Sequence, residues 1–152
     1  MNYTEESVHI PVLLQASLQQ IQPKRGESYL DLTAGYGGHA GEFLRITENF
    51  ENSVLVDRDE NAIRTLPRFK NEGVEILHKD FLSAAKELVK RGQKFDIILA
   101  DLGVSSPQLD IAERGFSFRK DGPLDMRMNP AQKKTAADIV NFASKNELLQ
   151  IL

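Results

Sequence analysis

The segment Tyr29-Leu30-Asp31-Leu32-Thr33-Ala34-Gly35-Tyr36-Gly37-Gly38-His39-Ala40-Gly41 decides how this chain folds. Its first part predicts a buried strand, and its second part predicts a glycine-rich turn that leads into a helix. The four glycines between Gly35 and Gly41 permit positive φ angles and a close approach of the backbone to a ligand. Gly35-x-Gly37-x-x-Ala40 matches the nucleotide-binding pattern G-x-G-x-x-G/A. Glycine-rich turns are common, so further residues are needed to support a nucleotide site.

Apolar segments alternate with segments of helical periodicity along the first two thirds of the chain. The four predicted strands span residues 28–33, 53–57, 74–78 and 95–101. The predicted helices span residues 15–21, 39–48, 60–69 and 82–91, with Pro67 in an awkward position in the third of them. This alternation is typical of right-handed βαβ units and a parallel sheet. We therefore predict an α/β, Rossmann-like fold with helices on both faces of the sheet.

Length and composition are those of an ordinary globular chain. The 152 residues suit one domain, with 41% hydrophobic and 27% charged residues. No run of about 18 apolar residues predicts a membrane span, and residues 1–6 lack the features of a secretory signal. A cytoplasmic protein is therefore expected. The net charge of −3 means that binding to nucleic acid would depend on a local basic patch.

The composition also bears on metal binding. The chain has no cysteine, which excludes disulfides and thiolate ligands. His9 and His78 have no other metal-ligating residues at a suitable spacing. We predict no metal site.

Two aspartates stand where predicted strands meet the loops that follow them. Asp57 lies 22 residues after Gly35, a spacing typical of the carboxylate that accepts hydrogen bonds from ribose hydroxyls. A solvated loop aspartate is the alternative. Asp31 suits a ligand with a positive ammonium group, such as the methionine part of S-adenosylmethionine. Its alternative is a local hydrogen bond at the end of the strand.

Residues after the third and fourth strands extend the predicted ligand site. Asp80 and Phe81 could accept a hydrogen bond from an adenine amine and stack on its ring, although Phe81 could equally be a core residue. Asp101 ends the fourth strand, next to the place where this architecture carries out its chemistry. His39 is interpreted as a binding residue in the first turn of its helix rather than as a catalytic base.

A basic and aromatic segment follows between residues 114 and 134. Aromatic rings between cations suit single-stranded nucleic acid, whose bases stack on the rings. A solvated loop is the alternative interpretation. The candidate RNA-binding residues in it are Arg114, Phe116, Phe118, Arg119, Lys120 and Arg127.

Three blocks after the fourth strand make the sequence recognisable. They are Asp101-Leu102-Gly103-Val104-Ser105-Ser106-Pro107-Gln108-Leu109-Asp110, Glu113-Arg114-Gly115-Phe116-Ser117-Phe118 and Asp121-Gly122-Pro123-Leu124-Asp125-Met126-Arg127-Met128. The chain resembles the bacterial ribosomal RNA small subunit methyltransferase H family over essentially its whole length. The resemblance implies an S-adenosylmethionine-dependent methyltransferase fold. The implied reaction is methylation of the exocyclic N4 of a cytidine in 16S rRNA.

The resemblance also assigns site residues. It implies cofactor contacts by Gly37, Gly38, His39, Asp57, Phe81, Asp101 and Gln108, to which the glycine turn adds Asp31 and Gly35. Positioning of the target amine falls to Asp101, Ser105, Ser106 and Pro107. Two departures from the family pattern lie around the turn, in Thr33-Ala34-Gly35-Tyr36 and at Ala40, where serine is common. Neither departure touches a contact carried over from the family.

The resemblance further implies that the methyltransferase fold is incomplete. We expect residues 1–104 to form the N-terminal part of the domain with the cofactor site. Residues 105–152 would then form the substrate loop and the start of an inserted helical subdomain, with helices at 135–142 and 145–152. The expected partner is 16S rRNA in the small ribosomal subunit, and a homodimer is compatible with the sequence. The alternatives are a truncated copy that binds the cofactor without catalysis and an NAD-dependent oxidoreductase.

Overall fold

A computed structural model of the chain describes residues 11–151. The predictions that concern residues 1–6 and His9 lie outside these residues, as does the last residue of the helix predicted at 145–152. The chain divides into two compact units, Met1–Leu102 and Gly103–Leu152. No helix within residues 11–151 combines the length and the apolar character that a membrane span requires.

The first unit contains a parallel sheet of four strands in the order β3-β2-β1-β4. The strands are β1 (Tyr29–Asp31), β2 (Val54–Asp57), β3 (Glu75–His78) and β4 (Ile97–Leu99). The helices are α1 (Leu14–Ile21), α2 (Gly38–Thr47), α3 (Glu60–Ile63), α4 (Pro67–Asn71) and α5 (Phe81–Lys90). The predicted α/β fold class is confirmed. Each strand is shorter than predicted.

Alternate residues of the strands face two separate hydrophobic cores, because successive side chains of a strand point to opposite faces. Tyr29 belongs to the core that α2 and α4 cover, with Phe43 and Phe69 as its other large members. Leu30 belongs to the core that α5 covers, together with Leu88. Each fully buried apolar side chain of this size stabilises the fold by about 1.5–3 kcal/mol. Helices therefore cover both faces of the sheet, as the alternating pattern predicts.

The prediction of a single helix at residues 60–69 is wrong, because the structure has two short helices there. Asp59 begins α3 by accepting a hydrogen bond from the Asn61 N–H, and α3 ends at Ile63. Pro67 then occupies the first turn of α4. Proline lacks an N–H and disfavours a helical conformation in the residue before it, so it begins a new helix more easily than it continues one.

The second unit contains α6 (Ser106–Asp110), a 3₁₀ helix (Ala112–Arg114), α7 (Ala136–Phe142) and α8 (Lys145–Ile151). The prediction that the segment after residue 104 starts as a loop is wrong, because α6 begins at Ser106. The Gln108 side chain accepts a hydrogen bond from the Ser105 N–H at 2.9 Å, and Pro107 stands in the first turn. This Ser-x-x-Gln spacing is a helix-start pattern that the sequence already contained.

Candidate functional site

The candidate site of the first unit lies at the carboxyl edge of the sheet, where β1 stands between β2 and β4. The chain runs from β1 to β2 on one side and later to β4 on the other, so the strand order reverses at β1. Ligands of open α/β sheets bind at such a reversal. Asp31 ends β1 and Asp57 ends β2, and Asp101 follows β4 by two residues. The predicted carboxylates thus belong to the ends of neighbouring strands.

Hydrogen bonds connect the glycine turn after β1 to the ends of both neighbouring strands. On the β2 side, the Ala34 N–H donates to the Val56 carbonyl at 2.9 Å, and the Gly35 N–H donates to Asp57 Oδ2 at 2.7 Å. On the β4 side, Thr33 Oγ1 accepts a hydrogen bond from the Asp101 N–H at 2.7 Å. Asp57 therefore holds the turn as well as standing at the predicted ribose position. The turn is held in place by the strand ends before any ligand binds.

Asp31 is a buried carboxylate beneath this turn, with 1% of its surface exposed. Its Oδ2 accepts a hydrogen bond from the Tyr29 hydroxyl at 2.8 Å, and its Oδ1 accepts one from the Thr33 N–H at 3.0 Å. Burial raises the pKa of Asp31 and the charges of Asp57 and Asp101 add to this, so that the pKa reaches about 6 against the two hydrogen bonds that lower it. At pH 7 the carboxylate is thus still mostly ionised, by roughly ten to one. A cationic group of a ligand would relieve the repulsion among these carboxylates.

Gly37, Gly38 and His39 lie at the start of α2 and are packed against neighbouring segments. A Cβ atom on Gly37, where φ is +79°, would lie 2.5 Å from Cε2 of Phe69. A Cβ atom on Gly38 would lie 2.4 Å from Cγ of Pro11. The buried His39 ring donates through Nε2 to the Val12 carbonyl at 3.2 Å. These contacts give the three residues a packing role, and their predicted cofactor contacts stay predictions.

Phe81 and Asp101 are exposed at the same edge of the sheet. Phe81 is the first residue of α5, and 47% of its surface is exposed, so it is not a core residue. Asp80 accepts a hydrogen bond from the Ser83 N–H at 2.9 Å and thereby begins the helix. Hydrogen bonding from the side chain of Ser83, together with this backbone bond, holds the pKa of Asp80 below its usual value. The ring of Phe81 is therefore available for the stacking that the sequence predicts.

The predicted amine-positioning residues of the second unit form the first turn of α6. Ser106 and Pro107 are its first two residues, and Ser105 precedes them. Gln108, which the resemblance assigns to the cofactor, is buried and caps the helix through Ser105. The segment is thus a fixed helical turn rather than an open loop.

Arg114 and Arg127, two of the predicted RNA-binding residues, are engaged within the second unit. The buried Arg114 guanidinium donates to the carbonyls of Arg127 at 3.1 Å and Met128 at 2.9 Å. Arg127 makes a two-bond ion pair with Asp125, at 2.8 and 2.7 Å, and a further bond to the Gln132 carbonyl at 2.7 Å. The ion pair holds the pKa of Asp125 below its usual value. Both guanidinium groups thus hold the segment between residues 114 and 132 in its fold.

The remaining predicted RNA-binding residues are more exposed. The Phe118 side chain is fully exposed, and the neighbouring Arg119 and Lys120 are also exposed. Lys120 donates to the Asp110 carbonyl. Phe116 is half-buried, with the Arg114 guanidinium 5.9 Å from its ring centre. Phe118 and Arg119 are therefore the members of the set best placed to meet a nucleic acid.

Two contributors to the first-unit site were missed by the reasoning from sequence. Tyr29 donates its hydroxyl to Asp31, and Arg68 donates to the Tyr36 carbonyl at 3.0 Å while its guanidinium lies 4.7 Å from the centre of the Phe69 ring. The first could have been found, because residues i and i+2 of a strand share a face. No local pattern indicates the second. Among residues 11–151, no three His, Asp or Glu residues are grouped as a metal site would need.

Comparison with known proteins gives consistent matches over almost all of the chain. The sequence model described as the MraW methylase family matches residues 6–152. The protein named ribosomal RNA small subunit methyltransferase H in Alteromonas mediterranea is 40% identical over 155 residues, which covers 100% of this chain and 50% of that relative. The proteins of the same name in Mycoplasmopsis synoviae and in a Cyanothece species are 45% and 44% identical, over 95% and 96% of this chain and 49% of each relative. The chain spans about half the length of the curated relatives it matches.

Proposed function

This chain belongs to the MraW methylase family, and we propose that it carries the cofactor half of an S-adenosylmethionine-dependent rRNA methyltransferase. Family membership confirms the resemblance drawn from residues 101–128. The relatives are named as methyltransferases of small-subunit ribosomal RNA. The proposed reaction is methylation of the exocyclic N4 of a cytidine in 16S rRNA, in the cytoplasm. Neither the oxidoreductase nor the inactive copy is favoured by these matches.

The observation that carries this proposal is the group of carboxylates around the glycine turn. Asp31 is buried, and the charges that act on it, Asp57 and Asp101, are both negative. Such a site favours a ligand that bears positive charge, as S-adenosylmethionine does through its sulfonium and ammonium groups. Asp57 has two carboxylate oxygens that each accept one backbone N–H and retain acceptor capacity for ribose hydroxyls.

We assign a distinct role in cofactor binding to each residue at the carboxyl edge of the sheet. Asp31 supplies negative charge beneath the turn, and Asp57 accepts hydrogen bonds from the ribose. Phe81, with its exposed ring, stacks on the adenine. Gly35, Gly37, Gly38 and His39 line the turn. The family resemblance assigns a further cofactor contact to Gln108, which belongs to α6.

Transfer of the methyl group requires a positioned amine, because the lone pair of the cytosine N4 is delocalised into the ring. The bound cofactor supplies the electrophilic sulfonium methyl. We assign to Asp101, and to Ser105, Ser106 and Pro107, the task of positioning the amine. Acceptors of this segment take hydrogen bonds from its N–H groups, and the nitrogen loses one proton after the sulfonium methyl has been transferred to it. The Asp101 backbone is held by Thr33 while the residue stays exposed, which suits a group that receives substrate. Much of the rate then comes from alignment of the reacting atoms.

Calorimetric titration of the 152-residue chain with S-adenosylmethionine, and separately with NADH, tests the proposal. We expect saturable binding of S-adenosylmethionine and none of NADH. Asp57→Asn keeps the size of the side chain while removing its charge, and it should weaken binding about tenfold or more, because hydrogen bonds to charged groups are strong.

The other outcomes of this titration have definite meanings. A folded chain that binds neither ligand would show that these residues do not hold the cofactor by themselves, and the proposal would fail. Binding of NADH in place of S-adenosylmethionine would favour the oxidoreductase. Circular dichroism of each variant establishes that the chain is folded.

The RNA contact proposed for the second unit rests on Phe118. Phe118→Ala should weaken binding of a single-stranded 16S rRNA oligonucleotide about fivefold or more, because base–aromatic stacking contributes about 1–3 kcal/mol per base. The matched control is Phe142→Ala, since Phe142 is also highly exposed but lies on α7. Fluorescence anisotropy of a labelled oligonucleotide measures both. Equal affinities for the two variants would remove Phe118 from the RNA-binding residues.

A further inference from the structure

Tyr29 combines complete burial with a polar group that packing does not require. None of its surface is exposed, and its ring stacks on Phe43 with 4.9 Å between ring centres and 1° between ring planes. A phenylalanine at this position would supply the same ring. The hydroxyl instead donates to Asp31 Oδ2 at 2.8 Å.

The groups around Asp31 leave the Tyr29 hydroxyl as the side-chain donor that can stabilise its negative charge. The other bond to the carboxylate comes from the Thr33 backbone N–H, and the charged groups that act on it are Asp57 and Asp101, which repel it. The ionisable side chains of α2, which packs on the same face, bond elsewhere. His39 donates to the Val12 carbonyl, and Glu42 pairs with Arg45. Among the side chains described, Tyr29 is thus the donor that stabilises the ionised form of Asp31.

We propose that Tyr29 is a positioning residue for the cofactor, because its buried hydroxyl donates to the Asp31 carboxylate and keeps it oriented beneath the glycine turn. This inference rests on the proposed function, in which Asp31 supplies negative charge to a cationic ligand. Tyr29 acts through Asp31 and is not a catalytic residue.

The protonation states of the two residues agree with this role. Burial and the neighbouring Asp31 raise the pKa of Tyr29 far above its ordinary value, so its hydroxyl is a neutral donor at any relevant pH. The hydrogen bond from Tyr29 lowers the pKa of Asp31, against the burial that raises it to about 6. Without the hydroxyl, the pKa of Asp31 moves upward, toward neutral pH.

Tyr29→Phe in the whole 152-residue chain tests this inference. Carbon-13 NMR of the Asp31 carboxyl should show its pKa raised by about one unit. Affinity for S-adenosylmethionine should fall about threefold at pH 6.5 and almost tenfold at pH 5, and change little at pH 8. A rise of the pKa from about 6 to about 7 lowers the ionised fraction of Asp31 from about three quarters to about one quarter at pH 6.5 and by almost tenfold at pH 5. A loss of the same size at every pH would indicate a structural role and overturn the inference.

A double-variant cycle with Asp31→Asn separates the possible causes. If Tyr29 acts through Asp31, the double variant binds S-adenosylmethionine as Asp31→Asn does alone, with no added loss. Additive losses would overturn the inference, as would a Tyr29→Phe chain that does not fold. A wild-type chain that binds no S-adenosylmethionine would contradict the proposed function instead. The NMR titration needs no ligand, and an unchanged pKa of Asp31 would overturn the inference about Tyr29 by itself.

Discussion

Asp31→Asn is expected to abolish most of the affinity for S-adenosylmethionine and yet leave the chain as stable as before, or more stable, at pH 7. Asparagine keeps the size of the side chain and can still accept a hydrogen bond from the Thr33 N–H. The negative charge beneath the glycine turn is lost. Because interactions with a buried charge contribute about 1.5–3 kcal/mol, the affinity should fall about tenfold to a hundredfold.

The gain in stability follows from the pKa of Asp31. Folding raises this pKa from 3.8 to about 6, so the folded chain binds a proton more tightly than the unfolded chain does. The contribution of Asp31 to the stability of the wild-type chain is therefore most favourable below about pH 4, falls as the pH rises to about 6, and stays reduced above that. The two pKa values differ by about two units, which corresponds to about 3 kcal/mol. Asp31→Asn removes this loss of stability. The variant should therefore be more stable than the wild type at pH 7 and equally stable near pH 4.

Asp96→Asn is the matched control, because Asp96 lies at the opposite end of the sheet from Asp31. Its carboxylate accepts hydrogen bonds from the N–H and the hydroxyl of Ser28, both at 2.8 Å, and these bonds hold its pKa below the usual value. Its contribution to stability is present above about pH 4 and lost as the pH falls. Asp96→Asn should therefore lower the melting temperature at pH 7 and leave cofactor affinity unchanged. Thermal unfolding at pH 4 and pH 7 measures both variants, and a melting temperature of Asp31→Asn well below the wild type at pH 7 would contradict the account.

The fold of the first unit could be predicted because its determinants are local. Apolar strands, the glycine turn and helical periodicity each occupy a short window, and parallel strands joined by helices allow few arrangements. The same reasoning places Asp31 and Asp57 at one edge of the sheet, since each ends a strand. Pro67 shows the limit, because whether a proline bends, ends or begins a helix depends on the packing of the residues around it.

The partners of polar side chains could not be predicted in the same way. Arg114 and Arg127 belong to a segment rich in basic residues, and such composition suggests a surface that meets RNA. Their guanidinium groups instead bond to carbonyls and to Asp125 within the segment. A sequence shows which residues are charged, but the fold of an aperiodic segment determines which of them face inward.

Gly115→Ala is the second substitution with a large expected effect, because it acts on the point where that aperiodic segment crosses itself. Gly115 has a φ of +73°, and a Cβ atom there would lie 2.3 Å from the Pro123 carbonyl oxygen and 2.8 Å from the Asp125 nitrogen. Both are backbone atoms, so no side-chain rotation relieves the overlap. The strained φ should destabilise the folded segment by about 1–2 kcal/mol and the overlap by about 1–3 kcal/mol. Together these costs should open the segment.

Gly92→Ala separates the two contributions to the effect of Gly115→Ala. Gly92 has nearly the same φ, +69°, but no atom lies within 4 Å of its Cβ position. Gly92→Ala should therefore lower the free energy of unfolding only through the strained φ, by about 1–2 kcal/mol. Amide hydrogen exchange measures the comparison. Gly115→Ala should lose protection at the Met126 N–H, which donates to the Arg114 carbonyl at 3.0 Å, whereas Gly92→Ala should leave that amide protected. If the two variants exchanged alike there, the crossing at Gly115 would not be what holds the Arg114 and Arg127 guanidinium groups in their internal hydrogen bonds.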